Sequence, residues 1–292
     1  MRVSDADRYK NVNAVLGRLA SEHARASREA ATGERVTRPS DDPLAAAELV
    51  RLRHAASKVD AHRETLRSAM NDLELSESSL AAASDVFVRA KELAMQGGNG
   101  ALGAGERSML AEQVEALEQE LLGIANQQGA RGYLFAGSKI DAPPFAAAGV
   151  FSGDGSDHSV DVGSGATSAS ASGALAFTVT GGRNVFADLS QLRSALAADD
   201  AAGVRAALDG LEAARKQVEA ERGKAGLSLE KLTAADGVLA QGGVDLARAT
   251  ERVGGADAFE AFSRMNSLSG AMERAISISK QVLDLGARWR GY

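Results

Sequence analysis

Between Leu44 and Gln96 the chain contains neither proline nor glycine, and its small and apolar residues return in steps of three and four. Ala45, Leu49, Leu52, Ala56, Val59, Leu66, Met70, Leu73, Leu80, Phe87 and Ala94 fall on one line, broken by Arg63, Glu77, Ser84 and Lys91. That spacing is the seam of a helix lying lengthwise against other helices. At ~1.5 Å per residue the run reaches about 80 Å, longer than a compact domain requires. Gly97-Gly98-Asn99-Gly100 then stops it.

The same spacing marks both ends of the chain. From Tyr9 it runs through Val12, Leu16, Leu19, His23, Ala26 and Ala30. Arg18, Glu22, Arg25 and Glu29 lie off this line and are expected to face water or to pair along the helix. After Gly254-Gly255 it returns at Ala258, Ala261, Met265, Leu268, Met272, Ala275, Ser279 and Val282, flanked by Phe262, Ile276 and Leu283. Both stripes are thin. Their burial gains only a few kcal/mol at ~25 cal/mol per Å², and the entropy of ordering them is comparable or larger. Each arm is therefore expected to be frayed in a single molecule and ordered against the other arm or against neighbouring copies.

A loop joins the first arm to the long run. Gly33 suits the left-handed position past a helix end, and Pro39 biases Arg38 towards an extended conformation. Ser40, Asp41 or Asp42 can cap the next helix, with Pro43 in its first turn. Arg35 and Arg38 either bind carboxylates of a neighbouring copy or face water.

Glu106 to Gln128 is expected to fold back antiparallel after the glycine-rich turn. From Gly129 to Gly182 Gly, Ser, Asp and Pro dominate, and short strand-like runs appear at 133–136, 150–151, 160–162 and 177–180. The Gly163–Gly173 tract is either a loop or a weak sheet edge. Helix is expected again at Val185–Ala198 and from about residue 201 to Val253. Gly210, Gly223, Gly226, Gly237, Gly242 and Gly243 leave the continuity of that last segment open, each costing roughly 1 kcal/mol against alanine.

Composition narrows the function. Thirty-three basic residues against 39 acidic give a net charge of −6, which argues against a nucleic-acid partner. Apolar residues make up 45% but aromatics only 4%, a balance that favours helix seams over a deep globular core. Without cysteine there are no disulfides and no thiolate chemistry. No run of ~18 apolar residues would span a membrane, and the first residues lack the apolar core of a cleaved signal peptide.

No constellation of catalytic, cofactor-binding or metal-binding residues stands out. His54 and His62 are eight apart, not four, so they cannot form the zinc pair of HExxH. They are expected to be exposed helix residues, and His23 a tolerated seam position. Gly153-Asp154-Gly155-Ser156-Asp157 lacks the spacing of an EF-hand loop and is better read as a turn. Gly97–Gly105 has no Lys-Ser/Thr for a phosphate loop, and no GxSxG occurs. Asp41 and Asp42 are expected to serve a helix start and not acid–base chemistry.

Four segments resemble the flagellin superfamily, and within it the hook-associated junction proteins. They are Gly33-Glu34-Arg35 with Arg38-Pro39-Ser40-Asp41-Asp42-Pro43-Leu44-Ala45-Ala46-Ala47, Arg89 through Gly100, Arg131-Gly132-Tyr133-Leu134-Phe135-Ala136-Gly137-Ser138 with Pro143-Pro144-Phe145, and Phe151 through Gly155. The end departs from the family's usual leucine-rich run, because Leu283-Asp284-Leu285 is followed by Gly286-Ala287-Arg288-Trp289-Arg290-Gly291-Tyr292.

The resemblance implies a mainly α fold with a small β insert, an elongated flagellin-like rod of long antiparallel helices. Its N- and C-terminal helices would pair as a terminal coiled-coil domain. The expected division is 1–40 as the N-terminal arm, pairing with 257–292 as the C-terminal arm. Residues 41–130 and 185–256 would form the two halves of the rod, and 131–184 the insert. It also implies a structural subunit with no enzymatic activity and no cofactor, exported to the bacterial flagellum without signal cleavage. Copies would form a ring with flagellin on one side and another hook-associated protein on the other, and an export chaperone would serve the chain. Tyr9, Val12, Leu16, Leu19, Arg35, Arg38, Phe262, Met265, Leu268, Met272, Ile276 and Leu283 are the expected assembly surface. The alternatives are a flagellin and a cytosolic coiled-coil adaptor.

Overall fold

A computed structural model describes residues 2–146, 149–156, 159–162, 166–178, 180 and 182–288, with the side chains of 2–9, 166 and 282–288 excluded. Helices dominate: α1 (Arg2–Thr32), α2 (Pro43–Gly97), α3 (Ala104–Ala125), α4 (Gly173–Phe177), α5 (Val185–Ala197), α6 (Ala201–Gly254) and α7 (Ala258–Arg288). Strands β1 (Ser159–Asp161) and β2 (Ala166–Ser168) form the one sheet among the described residues, antiparallel with Val160 opposite Thr167. Two compact units result. One comprises residues 1–58 and 242–292, the other residues 59–241.

In the 59–241 unit the seam predicted for α2 becomes the core. Leu66, Leu73, Leu80 and Phe87, seven residues apart, are fully buried with Ala69, Ala83, Ala90 and Ala94. The breaks in that seam have partners on α6. Arg63 bonds Asp236, Glu77 bonds Arg222, Ser84 bonds Glu219 and Lys91 bonds Glu212. Partner numbers fall as α2 numbers rise, which is the signature of antiparallel neighbours. Helix α6 is continuous over 54 residues. Its glycines are tolerated because Leu211, Val218, Ala225 and Leu232 anchor the buried face, and packing outweighs local propensity. At the turn between α2 and α3, the buried Arg107 donates to the carbonyls of Gly97 and Asn99, each at 2.8 Å, and to the Asp199 carboxylate.

The insert differs from the strand-rich expectation. Tyr133 makes only an isolated bridge with Gln128, and Phe151 one with Phe145. Phe177 ends helix α4, capped at its start by the Ser172 hydroxyl. Residues 159–161 are strand, and part of the Gly163–Gly173 tract supplies its partner β2. Residues 163–165 and Val179 lie outside the described residues. Short apolar runs mimic strands because both are buried. Here burial comes from an aromatic cluster holding five of the eight phenylalanines. Phe177 meets Phe135 and Phe145 edge-on at 5.3 and 5.5 Å, and Phe145 also meets Phe151 and Phe186. Low aromatic content thus coexists with a local aromatic core.

Side chains satisfy the insert's backbone where ladders do not. Asn126 exchanges two hydrogen bonds with the backbone of Phe145 (2.9 and 3.0 Å). The buried Asp72 on α2 accepts from Arg131 Nε at 2.7 Å. Gly132 has φ +138°, and a Cβ there would lie 2.5 Å from the Ile140 carbonyl oxygen, so glycine is required. Asp154 accepts from the Ser138 and Ser156 amides and the Ser138 hydroxyl, and these bonds hold its pKa well below the carboxylate range. A carboxylate committed to three donors closes a turn. Asp157 lies outside the described residues.

Candidate assembly surface at the paired terminal helices

In the unit of residues 1–58 and 242–292, α1 packs antiparallel on α7. Helix α1 ends at Gly33, with φ +69° and its N–H on the Glu29 carbonyl at 3.0 Å. The loop behind it is bound to the α6–α7 connection. Arg35 N donates to Gly254 O at 2.7 Å, Ala256 N donates to Gly33 O at 2.8 Å, and Glu34 pairs with Gly255 as an isolated bridge. Gly254 packs closely on Leu49: a Cβ there would sit 2.9 Å from two Leu49 methyls, which would have to shift. Val36, Leu49 and Ala261 are buried around this joint.

The two aspartates of the loop divide the capping work. Asp42 is the N-cap of α2, its carboxylate accepting from Ala45 N at 3.0 Å, while Asp41 accepts from Arg38 N and the Thr37 hydroxyl. Hydrogen bonds from these amides are the main reason both pKa values are lowered. Arg35 bonds Asp42 through Nη1 at 3.0 Å and the Val253 carbonyl through Nη2 at 2.8 Å. It joins the start of α2 to the last turn of α6, where free carbonyls favour a cation. The Arg38 side chain is exposed. Asp257 caps α7 through Phe259 N and Glu260 N.

Along the pair, Val12, Leu16, Leu19 and His23 of α1 and Met265, Leu268, Met272, Ala275 and Ser279 of α7 are each half-buried. Among the described apolar side chains of the two helices, full burial is confined to Ala26 and Ala261 near the joint. Phe262 (55% exposed) and Ile276 (42%) lie beside the seam, uncovered by α1. The side chains of Tyr9 and Leu283 lie outside the described residues, as does the Trp289–Tyr292 tail.

Glu29 departs from the sequence reading. It pairs along the helix with Arg25 at 2.9 Å, but it is buried and also lies 3.5 Å from Arg264. Single-helix spacing holds no signal for this, because Arg264 meets Glu29 only once the pairing register is known. Phe259 (84% exposed) and Leu44 (85% exposed) were also not singled out by spacing.

Among the described residues no group of three or more His, Asp or Glu side chains is arranged to hold a metal, and no helix is long and apolar enough to cross a membrane. His62 bonds the Asp161 carbonyl at 2.7 Å, and His23 bonds Ser269.

The family described as the bacterial flagellin N-terminal helical region matches residues 4–139. Flagellar hook-associated protein 3 of Salmonella typhimurium is 32% identical over 146 residues, which are 50% of this chain and 46% of that protein. The protein of the same name from Escherichia coli K12 is 31% identical over the same shares. The matched segment thus spans less than half the length of these curated relatives. Among solved structures, FlgL of Xanthomonas campestris is similar with a TM-score of 0.60 and 17% identity, covering 69% of this chain and 99% of that one. The flagellar junction protein FlgL of Legionella pneumophila gives 0.58 and 16%, covering 72% and 100%. At these identities the likeness is one of fold. Residues 4–139 are therefore similar to the bacterial flagellin N-terminal helical region, and the chain has the fold of these FlgL structures.

Proposed function

We propose that this chain is a structural, non-catalytic subunit of the bacterial flagellum, joining the hook to the flagellin filament by self-assembly. The observation that carries the reading is the half-exposed state of both terminal seams. Val12, Leu16 and Leu19 of α1 and Met265, Leu268 and Met272 of α7 each keep part of their surface in water, and Phe262 and Ile276 are uncovered beside them. Neighbouring copies would complete that burial. Hook-associated names among the relatives support the same reading.

In this proposal residues 1–40 and 257–292 are the assembling arms, fraying in a single molecule and ordering in the polymer. Residues 41–130 and 185–256 form the rod, and 131–184 its projection. Copies form a ring with flagellin on one side and another hook-associated protein on the other. The chain leaves the cell without signal cleavage, aided by an export chaperone, and takes no nucleic-acid or membrane partner. Tyr9, Val12, Leu16, Leu19, Arg38, Phe262, Met265, Leu268, Met272, Ile276 and Leu283 face neighbours. Arg35 takes part through the joint that it braces.

Deletion of the gene followed by electron microscopy is the test. Cells that build hooks and shed unassembled flagellin support the reading. Normal filaments on the deletion strain, or growth of the purified protein alone into long filaments as a flagellin would, overturn it.

A further inference from the structure

The seam between α1 and α7 is nearly degenerate. Small and medium apolar residues repeat along both helices, so sliding one past the other by a heptad still sets apolar against apolar. Between the helices themselves two polar contacts break that degeneracy, in addition to the backbone hydrogen bonds of the joint at their base. The buried Glu29 carboxylate, held by Arg25, lies 3.5 Å from Arg264 Nη1, and His23 Nε2 lies 3.1 Å from Ser269 Oγ. Among the described residues no other hydrogen bond or ion pair joins α1 to α7. Both contacts belong to one antiparallel register, since 29 pairs with 264 and 23 with 269.

We propose that Glu29, with Arg25 and Arg264 and seconded by His23 and Ser269, fixes the axial register of the terminal helices and makes residues 23–36 with 254–269 the seed of their pairing. A slide of seven residues one way sets Glu29 against Asp257 and His23 against Phe262. The opposite slide sets them against Ala271 and Ile276. Either leaves a buried carboxylate without its cross-helix cation, and the first adds a like charge. The joint of residues 33–36 with 253–256 closes the base of the pair, so contacts next to it cost little further ordering. Among the described residues beyond His23 and Ser269 only the thin apolar stripe joins the two helices, and pairing there must propagate from the seed. This is a property of one chain and holds whether or not the proposed assembly does.

The natural chain has no cysteine, so engineered pairs can report the register without background. Leu19→Cys with Met272→Cys matches the observed register, and Leu19→Cys with Met265→Cys matches a slide of one heptad. Both full-length proteins are oxidised in dilute solution, so that cross-links form within one chain. The matched pair should close at least about tenfold faster, the ratio equivalent to ~1.4 kcal/mol. Glu29→Arg, which repels Arg25 and Arg264, should shrink that ratio to about twofold or less, and adding Arg264→Glu should restore most of it. Rescue by the swap separates register choice from simple unfolding of the arms. A parent without preference, a ratio unmoved by Glu29→Arg, or a swap without rescue would each overturn the proposal.

Discussion

Arg63 and Asp236 are joined by two side-by-side hydrogen bonds, Nε to Oδ1 at 2.8 Å and Nη2 to Oδ2 at 3.1 Å, with about three-quarters of each side chain shielded from water. This is the forked geometry that lysine cannot reproduce. The pair lowers the pKa of Asp236 and raises that of Arg63. It belongs to the row in which polar breaks of the α2 seam find partners on α6, so polar residues set which turn of α2 faces which turn of α6. A double-mutant cycle of Arg63→Ala and Asp236→Ala, read by urea unfolding, should give a coupling of about 1 kcal/mol. Arg63→Lys should lose most of it. A coupling indistinguishable from zero would make the pair ornamental.

Arg107 serves two turns at once, binding Gly97 and Asn99 at the end of α2 and Asp199 between α5 and α6. Its side chain is almost wholly buried, and truncation leaves two carbonyls and a carboxylate short of a donor. Arg107→Ala should lower unfolding stability by about 2–3 kcal/mol, with the urea m-value unchanged. Lys, which supplies charge without the fork, should fall between the two.

Gly223, Gly226 and Gly237 sit inside α6 where an added Cβ would meet nothing within 4 Å. The backbone is already helical, so alanine should stabilise the monomer by roughly 0.5–1 kcal/mol at each site through lost unfolded-state entropy. Thermal unfolding of the three single variants measures this. A fall in midpoint at any of them would mean the side chain meets something in the folded monomer.

Glu212 accepts from Arg215 and Lys91, and these hydrogen bonds bring its pKa down to about 2. The unfolded chain takes up the proton near pH 4.5, before the folded one does. Stability from this group is therefore complete above about pH 4.5 and is lost as pH falls towards about 2. Wild type should exceed Glu212→Gln in stability at neutral pH, and the gap should close across that window in chemical denaturation. A gap that stays constant with pH would assign the effect to packing.

Spacing made the helical frame readable because every helix here buries a stripe, and a stripe leaves a period in the sequence. The ends of α1 and α2 were readable for a local reason: Gly33 and the Asp42-Pro43 cap act through their own backbone neighbours. The insert resisted. Phe135, Phe145, Phe151, Phe177 and Phe186 lie far apart in sequence and meet only in the fold, so the short runs holding Phe135, Phe151 and Phe177 read as strands. Glu29 pairs along its helix as expected, but its burial was not legible for the same reason, since a position beside a seam becomes interior only when another helix covers it.

The order of the main helices, the unbroken run of α2 and the thin terminal seams were determined by sequence alone, because each depends on residues within a few turns of one another, whereas the continuity of α6 across its glycines rests on packing. Which turns face each other was decided only by the tertiary structure. Arg63 with Asp236, Glu29 with Arg264 and Arg107 with Asp199 join residues 173, 235 and 92 positions apart. A charge's partner across that separation depends on the register of two packed helices or the meeting of two turns, and no local periodicity encodes it.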